Sequence, residues 1–213
     1  MIDFFKNITI RKYWWLKLIW NKKRTYLYES GWIKSYALKK PVDVEGNPIP
    51  WLSLPLVDFL SGKNLKNLHV FEYGAGNSTF YFAKRTQSVT SVEHHEGWVA
   101  YLKDKLPSNS TLEVESLENG NAYAEKSKTC NRKFDIILID GRNRVECCKA
   151  SIDAISDSGV FIYDDSHRER YDEGMKVFQN AGYKQIDFWG MGPSSIGKKC
   201  TTLFYKSTNC LDI

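Results

Sequence analysis

The chain has 213 residues, a formal net charge of +5 and 14% aromatic residues. This length suffices for one α/β domain with a sizeable core and an extension, and the modest charge does not by itself indicate a nucleic-acid partner. The cysteines are odd in number and none forms a C-x-x-C pair. They argue against a disulfide framework and a zinc site, and they predict reduced thiols and a cytoplasmic location.

Residues 1–40 form a basic and aromatic extension in which ten Lys and Arg residues accompany only Asp3 and Glu29. Aromatic and aliphatic residues alternate with the basic ones at roughly helical spacing, which predicts an amphipathic helix. Two interpretations stay open. The helix packs on the domain or on a second subunit, giving a homodimer, or it makes peripheral contact with an anionic membrane surface. The most apolar run, 13–20, is interrupted by Lys17 and too short to span a bilayer, and no signal peptide is expected.

Residues 41–55 are rich in proline and turn-forming residues, and Glu45–Pro48 is expected to turn. Trp51 follows Pro50 just before the pattern of the core begins. The segment is either a rigid strap that inserts Trp51 into the core or a lid over a ligand cleft, and both descriptions can hold together. We therefore divide the chain into an N-terminal extension with its strap, 1–55, and a main domain, 56–213.

From residue 56 onwards, apolar runs typical of buried strands alternate with helical patterns. Strands are predicted at 69–73, 88–93, 110–115, 134–139, 159–163, 184–189 and 200–206. Helices are predicted at 56–60, 78–85, 96–105, 145–156 and 170–181. The alternation predicts a Rossmann-like α/β fold with a seven-stranded, mostly parallel sheet. Because the glycine-rich connection 190–197 is too short for a crossover helix, the last strand is expected to be antiparallel.

The stretch 69–83 combines a short apolar strand, a glycine turn and the start of a helix. Gly74 and Gly76 allow a sharp turn and a close approach of the backbone to a ligand. The free N–H groups of the following helix face that turn, as they do in nucleotide-binding sites. Since Glu72 immediately precedes the glycines, the site is expected to repel a phosphate and to favour a cationic ligand.

Acidic residues recur at the carboxyl ends of successive predicted strands, where ligands of open α/β sheets bind. Glu93 ends the second strand about twenty residues after the glycine turn, where a carboxylate can hold both ribose hydroxyls of a nucleoside. Asp140 ends the fourth strand, and Asp164 and Asp165 end the fifth. This recurrence predicts a binding site along one edge of the sheet.

Taken in order, Glu72–Asn77, Glu93 and Phe134–Asp140 resemble motifs of class I S-adenosylmethionine-dependent methyltransferases. The resemblance implies an enzyme that binds S-adenosylmethionine, with Glu72 near the amino group of the methionine moiety and Glu93 at the ribose. It also implies that the adenine lies near Ser116. The residues that it assigns to the cofactor are Glu72, Tyr73, Gly74, Gly76, Asn77, Ser78, Thr79, Glu93, His94, Ser116 and Asp140.

The stretches Ile139–Arg142 and Tyr163–Asp165 are similar to motifs of metal-dependent sugar O-methyltransferases. That resemblance implies a divalent cation, Mg²⁺ or Mn²⁺, on Asp140, Asp164 and Asp165. Such a cation would bind a vicinal diol and lower the pKa of a hydroxyl. The alternative role of the Asp pair is to cap the next helix and to hydrogen-bond its loop.

The catalytic base is the point at which this chain departs from those enzymes. Arg142 stands where they carry an acid that takes the proton. Either another residue accepts the proton, in which case His167 is the best substitute, or the likeness to metal-dependent enzymes does not hold. The catalytic candidates are therefore Asp140, Arg142 and His167.

A further likeness concerns the acceptor. Ser30–Trp32, Pro48–Trp51 and Glu72–Thr79 resemble methyltransferases associated with polysaccharides of bacteria and algal viruses, which implies a carbohydrate acceptor. The first hypothesis is therefore O-methylation of a sugar hydroxyl in a glycan. The alternatives are methylation of another small molecule, a lipid, a protein or RNA, with no DNA partner expected. A non-catalytic nucleotide-binding or scaffold protein is the hypothesis of a different class.

Overall fold

The computed structural model describes residues 22–213. Most of the predicted basic and aromatic extension, with the amphipathic helix, the membrane contact and the dimer contact assigned to it, lies outside these residues. The described helices are α1 (Tyr26–Glu29), α2 (Trp32–Leu38), α3 (Leu54–Ser61), α4 (Asn77–Ala83), α5 (Glu96–Lys103), α6 (Ala122–Glu125), α7 (Arg144–Ser151) and α8 (Asp172–Asn180). Short 3₁₀ turns cover Lys22–Arg24, Lys126–Cys130 and Glu169–Tyr171.

The strands form one mixed sheet that matches the predicted fold class. They are β1 (His69–Tyr73), β2 (Ser88–Glu93), β3 (Ser110–Val114), β4 (Phe134–Ile139), β5 (Ile155–Asp164), β6 (Lys184–Met191) and β7 (Lys198–Tyr205). Their order in the seven-stranded sheet is β3-β2-β1-β4-β5-β7-β6. Pairs from β3 through β5 are parallel, and β7 is antiparallel to both β5 and β6. The prediction of an α/β sheet with an antiparallel last strand is confirmed.

The apolar run of β4 is continuous because the strand is buried on both faces. Ile136 and Leu138 pack in one apolar cluster with α3 and α4, whereas Ile137 and Ile139 pack in the other with α7 and α8. Each of these four side chains is at most 1% exposed. Burial of one such side chain contributes roughly 1.5–3 kcal/mol, so both layers of helices hold the sheet edge that carries the site.

The strap between α2 and α3 is pinned at several points. Ser35 is buried, and its hydroxyl donates to the Val42 carbonyl at 2.7 Å while accepting from the Val42 N–H at 2.9 Å. The chain turns at Glu45–Pro48 as predicted, with Gly46 at φ +102°. Ile49 and Leu52 join the main apolar cluster. The segment is therefore a strap anchored by these two aliphatic residues.

Trp51 does not enter the core. Its side chain is 46% exposed and faces a cavity at the carboxyl edge of the sheet, so the expectation of a core plug at this position is wrong. Leu52, which is fully buried, takes that place. Within residues 22–213, no helix is both long and apolar enough to cross a membrane.

Candidate active site

A cavity of about 800 Å³ opens where β1, β2 and β4 end. Its wall includes Tyr73–Ser78 after β1, Glu93 and His94 after β2, and Asp140–Arg142 after β4. Ligand sites of open α/β sheets lie at this edge, and their usual volume is about 300–1,000 Å³. The structure therefore brings most of the predicted cofactor residues around one space.

The glycine turn owes its shape to two close backbone contacts. Gly74 has φ +92°, a conformation that other residues rarely adopt, and its N–H donates to the Val92 carbonyl at 2.8 Å. A Cβ at Gly141 would lie 2.1 Å from the Tyr123 hydroxyl and 2.9 Å from the Tyr73 backbone. Larger residues at either glycine would push the two loops apart and fill the floor of the cavity.

Glu93 lies at the rim of the glycine turn with its carboxylate held by backbone groups. One oxygen accepts from the N–H groups of His94 and His95 at 2.8 and 3.0 Å, and the other accepts from the Ala75 N–H at 3.2 Å. The His94 ring nitrogen Nδ1 is also 2.8 Å from the first oxygen. These contacts hold the carboxylate against the glycine turn on the cavity wall, where the ribose is expected.

Glu72 does not line the cavity. It is fully buried, and one carboxylate oxygen accepts hydrogen bonds from the Thr79 and Ser91 hydroxyls, the latter at 2.6 Å. The other oxygen has no hydrogen-bond partner among the described residues. Burial raises the pKa of Glu72 to about 7, although the hydroxyls of Ser91 and Thr79 oppose the shift. The carboxyl group therefore braces the turn from beneath, and a direct contact with the methionine moiety finds no support in this geometry.

Most of the other predicted cofactor residues line the cavity, but Thr79 and Ser116 do not. The cavity wall contains Tyr73, Gly74, Gly76, Asn77, Ser78, Glu93, His94 and Asp140. Thr79 lies inside, bound to Glu72 and to the Gly76 N–H. Ser116 is not part of the wall, and its hydroxyl accepts from the Glu118 N–H at 3.1 Å. The predicted adenine contact at Ser116 is thus not brought to the cavity in residues 22–213.

Aromatic residues that the sequence analysis did not single out form much of the wall. The Trp98 indole donates to the Ala75 carbonyl at 2.7 Å and stacks on Tyr101 with ring centroids 5.2 Å apart. Tyr123 is fully buried and lines the inner wall, where its hydroxyl lies close to the backbone of Gly141. Trp98 and Tyr101 lie three residues apart on α5, shortly after Glu93, and this spacing could have predicted that they line the site.

Arg144 ties the end of β4 to the end of β5. Its guanidinium donates to Asp140 Oδ1 at 2.7 Å and to the Asp164 carbonyl at 2.6 Å. Burial and the Asp164 carboxylate raise the pKa of Asp140 well above its ordinary value, although Arg144 and Lys199 oppose the shift. Asp140 is consequently a carboxylate on the cavity wall that binds a proton more readily than a solvated one.

The Asp pair after β5 is already neutralised by side chains of the protein. The Lys199 ammonium is 2.7 Å from Asp164 Oδ2 and 3.3 Å from Asp165 Oδ1, and Arg168 is 2.8 Å from Asp165 Oδ2. The Thr201 hydroxyl donates to the other oxygen of Asp164 at 2.7 Å. The Lys199 ammonium therefore occupies the space between the two carboxylates in which a metal ion would have to sit.

The predicted divalent-cation site does not fit this arrangement. Among residues 22–213, no group of three or more His, Cys, Asp or Glu side chains is placed to hold a metal ion. Asp140, Asp164 and Asp165 do lie close together, but Arg144 and Lys199 pair with them. Neither Asp caps the next helix, since the Asp164 carboxylate contacts Lys199 and Thr201. The loop contact of the alternative role is present, because the Asp165 carboxylate pairs with Arg168 of the following loop.

His167 lies outside the cavity wall, on the far side of the Asp pair. Its Nδ1 accepts the Cys200 N–H at 3.1 Å, and its ring packs on Trp189 with centroids 5.7 Å apart. A neutral imidazole that accepts at Nδ1 carries its proton on Nε2, so it has no free lone pair with which to act as a base. The geometry therefore gives no support to His167 as the base. Arg142 is exposed and does line the cavity.

The chain resembles known proteins in its structure and not in its sequence. No protein-family model matches this chain, and no curated protein matches it by sequence. The precorrin-6y C5,15-methyltransferase of Geobacter metallireducens GS-15 is similar, with a TM-score of 0.56 at 14% identity, covering 72% of this chain and 88% of that one. A methyltransferase-like protein from Silicibacter pomeroyi DSS-3 is similar with a TM-score of 0.51 at 20% identity, covering 75% and 89%. The chain has the Rossmann-like fold found in these methyltransferases.

Proposed function

We propose that the protein is an S-adenosylmethionine-dependent methyltransferase that methylates a hydroxyl of a sugar in a glycan. One observation carries the cofactor assignment: the Glu93 carboxylate is held against the glycine turn by the Ala75 N–H, inside the cavity at the carboxyl edge of a methyltransferase-like sheet. The missing third glycine of the dinucleotide fingerprint argues against a pyrophosphate site.

In this proposal the chain binds and aligns the cofactor with few side chains. Glu93 accepts the ribose hydroxyls, and the turn at Gly74 and Gly76 admits the nucleoside close to the backbone. Trp98 and Tyr123 line the cavity and would pack against the bound nucleoside. When bound, S-adenosylmethionine supplies an electrophilic methyl group on a positively charged sulfur. The protein then has to align the acceptor oxygen and remove its proton.

Asp140 is the residue that we assign to the proton. Arg144 holds one of its oxygens, Oδ1, and the second oxygen is assigned to the acceptor hydroxyl. With S-adenosylmethionine bound, transfer of its methyl group from sulfur to the acceptor oxygen would release the hydroxyl proton, and Asp140 would take it. A carboxylate with a raised pKa is a better proton acceptor, which suits this role. No metal ion takes part in the step.

The carbohydrate acceptor is supported by the outer wall of the cavity. Sugars bind by stacking on exposed aromatic rings and by hydrogen bonds from charged side chains. Trp51 and Trp98 line the wall and are 46% and 40% exposed, and Arg142 and Arg168 lie on the same wall. A small phenol or a lipid would bind best in an enclosed apolar pocket. The opening of this cavity is instead lined by both aromatic and basic side chains.

Calorimetry with S-adenosylmethionine and S-adenosylhomocysteine tests the cofactor assignment. Wild type should bind both, and Glu93→Ala should weaken binding by roughly tenfold to a hundredfold, because a charged partner of the ribose is lost. The matched control is Glu96→Ala, an exposed acid one turn away on α5, which should bind as wild type does. If wild type binds neither ligand, the protein is a non-catalytic member of the fold.

Transfer of a labelled methyl group to a panel of glycosides, phenols, lipids and RNA tests the acceptor. Glycosides should be labelled in preference to the other classes. Asp140→Asn should lower kcat by about 10²-fold or more with little change in cofactor affinity. Full turnover by that variant would remove Asp140 from the proton transfer, and preferential labelling of another class would replace the glycan.

A further inference from the structure

The mouth of the cavity carries an excess of positive charge. Five cationic side chains on its wall form no ion pair with any residue in 22–213, namely Lys39, Lys40, Lys105, Arg142 and Arg170. They come from four separate parts of the chain: the strap after α2, the turn after α5, the loop after β4 and the loop after β5. These separate segments meet at one opening of the cavity. The group therefore differs from a run of basic residues along one solvated helix.

The acids of the cavity do not neutralise these side chains. Glu93 accepts from three backbone N–H groups and contacts His94, and Asp140 is paired with Arg144. The bound cofactor would not neutralise them either. S-adenosylmethionine carries one carboxylate against an ammonium and a sulfonium, so its net charge is +1. The acceptor is the remaining component that can bring negative charge to the opening.

Two of the five, Arg142 and Arg170, face a common space next to Asp140. Both line the main cavity, and both line an adjoining hollow of about 310 Å³ together with Tyr171. The Arg170 guanidinium lies over the Tyr171 ring at 4.7 Å, and Arg144 lies over the same ring at 5.1 Å. Tyr171 thus contacts both Arg170 and Arg144, and Arg144 is the partner of Asp140.

The one acid of the adjoining hollow, within the described residues, is engaged elsewhere. Glu146 lines that hollow, and its carboxylate is paired with the Lys149 ammonium at 2.9 Å. Of the three guanidinium groups in the hollow, those of Arg142 and Arg170 form no ion pair with any residue in 22–213, and the hollow has no free carboxylate. Guanidinium groups bind carboxylates and phosphates in a bidentate geometry that favours these anions over neutral hydroxyls.

We propose that Arg142 and Arg170 bind an anionic group, a carboxylate or a phosphate, on the sugar that is methylated or on its neighbour, so that the natural acceptor is an acidic glycan. This inference rests on the proposed methyltransferase function and specifies its acceptor. The anion anchors the sugar at the opening while the hydroxyl to be methylated points to Asp140. RNA would require a basic track extending beyond one opening, with bases stacked along it.

The test compares acidic oligosaccharides with neutral ones of the same length. The probes are oligogalacturonate for the carboxylate and oligomannose bearing 6-phosphate for the phosphate, with oligogalactose and plain oligomannose as neutral counterparts. Binding is measured by calorimetry on the protein saturated with S-adenosylhomocysteine, and labelled methyl transfer is measured in parallel. A short single-stranded RNA is included as the competing polyanion.

At least one acidic probe should bind about tenfold or more tightly than its neutral counterpart, and added salt should weaken it. Arg142→Gln and Arg170→Gln should each weaken that probe about tenfold, and the double variant should abolish the preference. Lys66→Gln, an exposed control on the groove at the opposite edge of the sheet, should behave as wild type. All variants should keep wild-type affinity for S-adenosylmethionine.

Three results overturn the inference while leaving the proposed function intact. They are equal binding of neutral and acidic probes, no binding of any acidic probe by protein that binds the cofactor, and an unchanged acidic preference in the double variant. Tighter binding of the RNA than of either acidic sugar also overturns it. Failure of wild type to bind S-adenosylmethionine is a different outcome, because it removes the proposed function itself.

Discussion

Glu72 shows how a residue can belong to a motif and act differently from its expected role. Its position before the glycines predicts a contact with a cationic ligand, but its side chain is fully buried and binds the Thr79 and Ser91 hydroxyls. The helix start and β2 are thereby tied to β1 directly beneath the turn. The side chain therefore supports the structure of the turn and does not contact a ligand on its surface.

The stability of the fold should therefore depend on the protonation of Glu72. Burial raises the pKa of the folded state to about 7 from 4.5, so the folded protein retains a proton that the unfolded chain has lost. The free energy of unfolding should fall as pH rises from about 4.5 to about 7. A shift of this size corresponds to roughly 3 kcal/mol. The stabilising contribution of the protonated carboxyl is fully present below pH 4.5, the pKa of the unfolded state, and is lost above about pH 7, the pKa of the folded state.

Urea denaturation of the cofactor-free protein between pH 4.5 and 8 measures this effect. Between pH 4.5 and 8, the free energy of unfolding of wild type should fall by roughly 3 kcal/mol relative to that of Glu72→Gln, because glutamine stays neutral. Glu45→Gln replaces an exposed acid of the strap and should follow the wild-type curve. Parallel curves for wild type and Glu72→Gln would show that the buried carboxyl does not titrate in this window.

At the level of elements, the antiparallel direction of β7 decides the chemistry after β5. A strand that runs against its neighbours begins at the edge where they end, so Lys199, near the start of β7, meets Asp164 and Asp165. Arg144 reaches the same carboxylates from the first turn of α7. The motif alone predicted that a metal ion neutralises these carboxylates. In the structure, side chains of α7 and β7, two elements distant in sequence, supply the positive charge instead.

Removal of the Lys199 charge should destabilise the protein and create an opening for a metal ion. Lys199→Ala should lower the free energy of unfolding by about 3–5 kcal/mol, because the buried Asp164 carboxylate loses its closest cation and retains only the more distant Arg144 guanidinium. Millimolar Mg²⁺ or Mn²⁺ should restore part of the loss in this variant and bind measurably by calorimetry. Wild type should show neither effect and should keep its melting temperature and methyl transfer in EDTA.

The matched control for that variant is the preceding residue. Lys198 is exposed and lies over the Trp189 ring at 4.5 Å, so Lys198→Ala should cost little and gain no metal binding. A wild-type protein that loses activity in EDTA and regains it with Mg²⁺ would restore the metal-dependent mechanism.

The strap is a second element whose attachment should matter for the cavity. Ser35→Ala removes both hydrogen bonds to Val42 and should lower the free energy of local opening of residues 41–49 by about 1–3 kcal/mol. Hydrogen exchange followed by mass spectrometry measures this opening. Ser61→Ala, which loses one exposed hydrogen bond at the end of α3, should leave the strap unchanged. Equal exchange in both variants would show that Ile49 and Leu52 alone hold the strap.

For the molecule as a whole, cofactor binding should appear as added stability, because the cavity is built from loops of β1, β2 and β4 together. At a free S-adenosylmethionine concentration of a hundred times its dissociation constant, the folded state gains about 2.7 kcal/mol. For a chain of this size the melting temperature should rise by about 5–10 °C in calorimetric scans. Glu93→Ala at the same concentration should shift less, and an equal shift would argue that the ligand binds away from Glu93.

Much of the architecture follows from local sequence patterns. The strands at 69–73, 88–93 and 134–139 have the predicted bounds, and β7 is antiparallel as the short connection before it required. Glycines, turn residues and apolar periodicity act over a few neighbouring positions, so one sequence suffices to read them. The same locality explains why Glu93 and Asp140 reach the cavity: each ends a strand, and parallel strands end at one edge.

What depended on tertiary structure is the partner of each charged or aromatic side chain. Periodicity does not reveal that Lys199 lies between Asp164 and Asp165, that His167 turns to the Cys200 backbone, or that Trp98 closes the glycine turn. Those contacts form between segments brought together only by the folded sheet. The identity of a strand is a local property, whereas the neutralisation of a carboxylate depends on the charge that the rest of the chain places beside it.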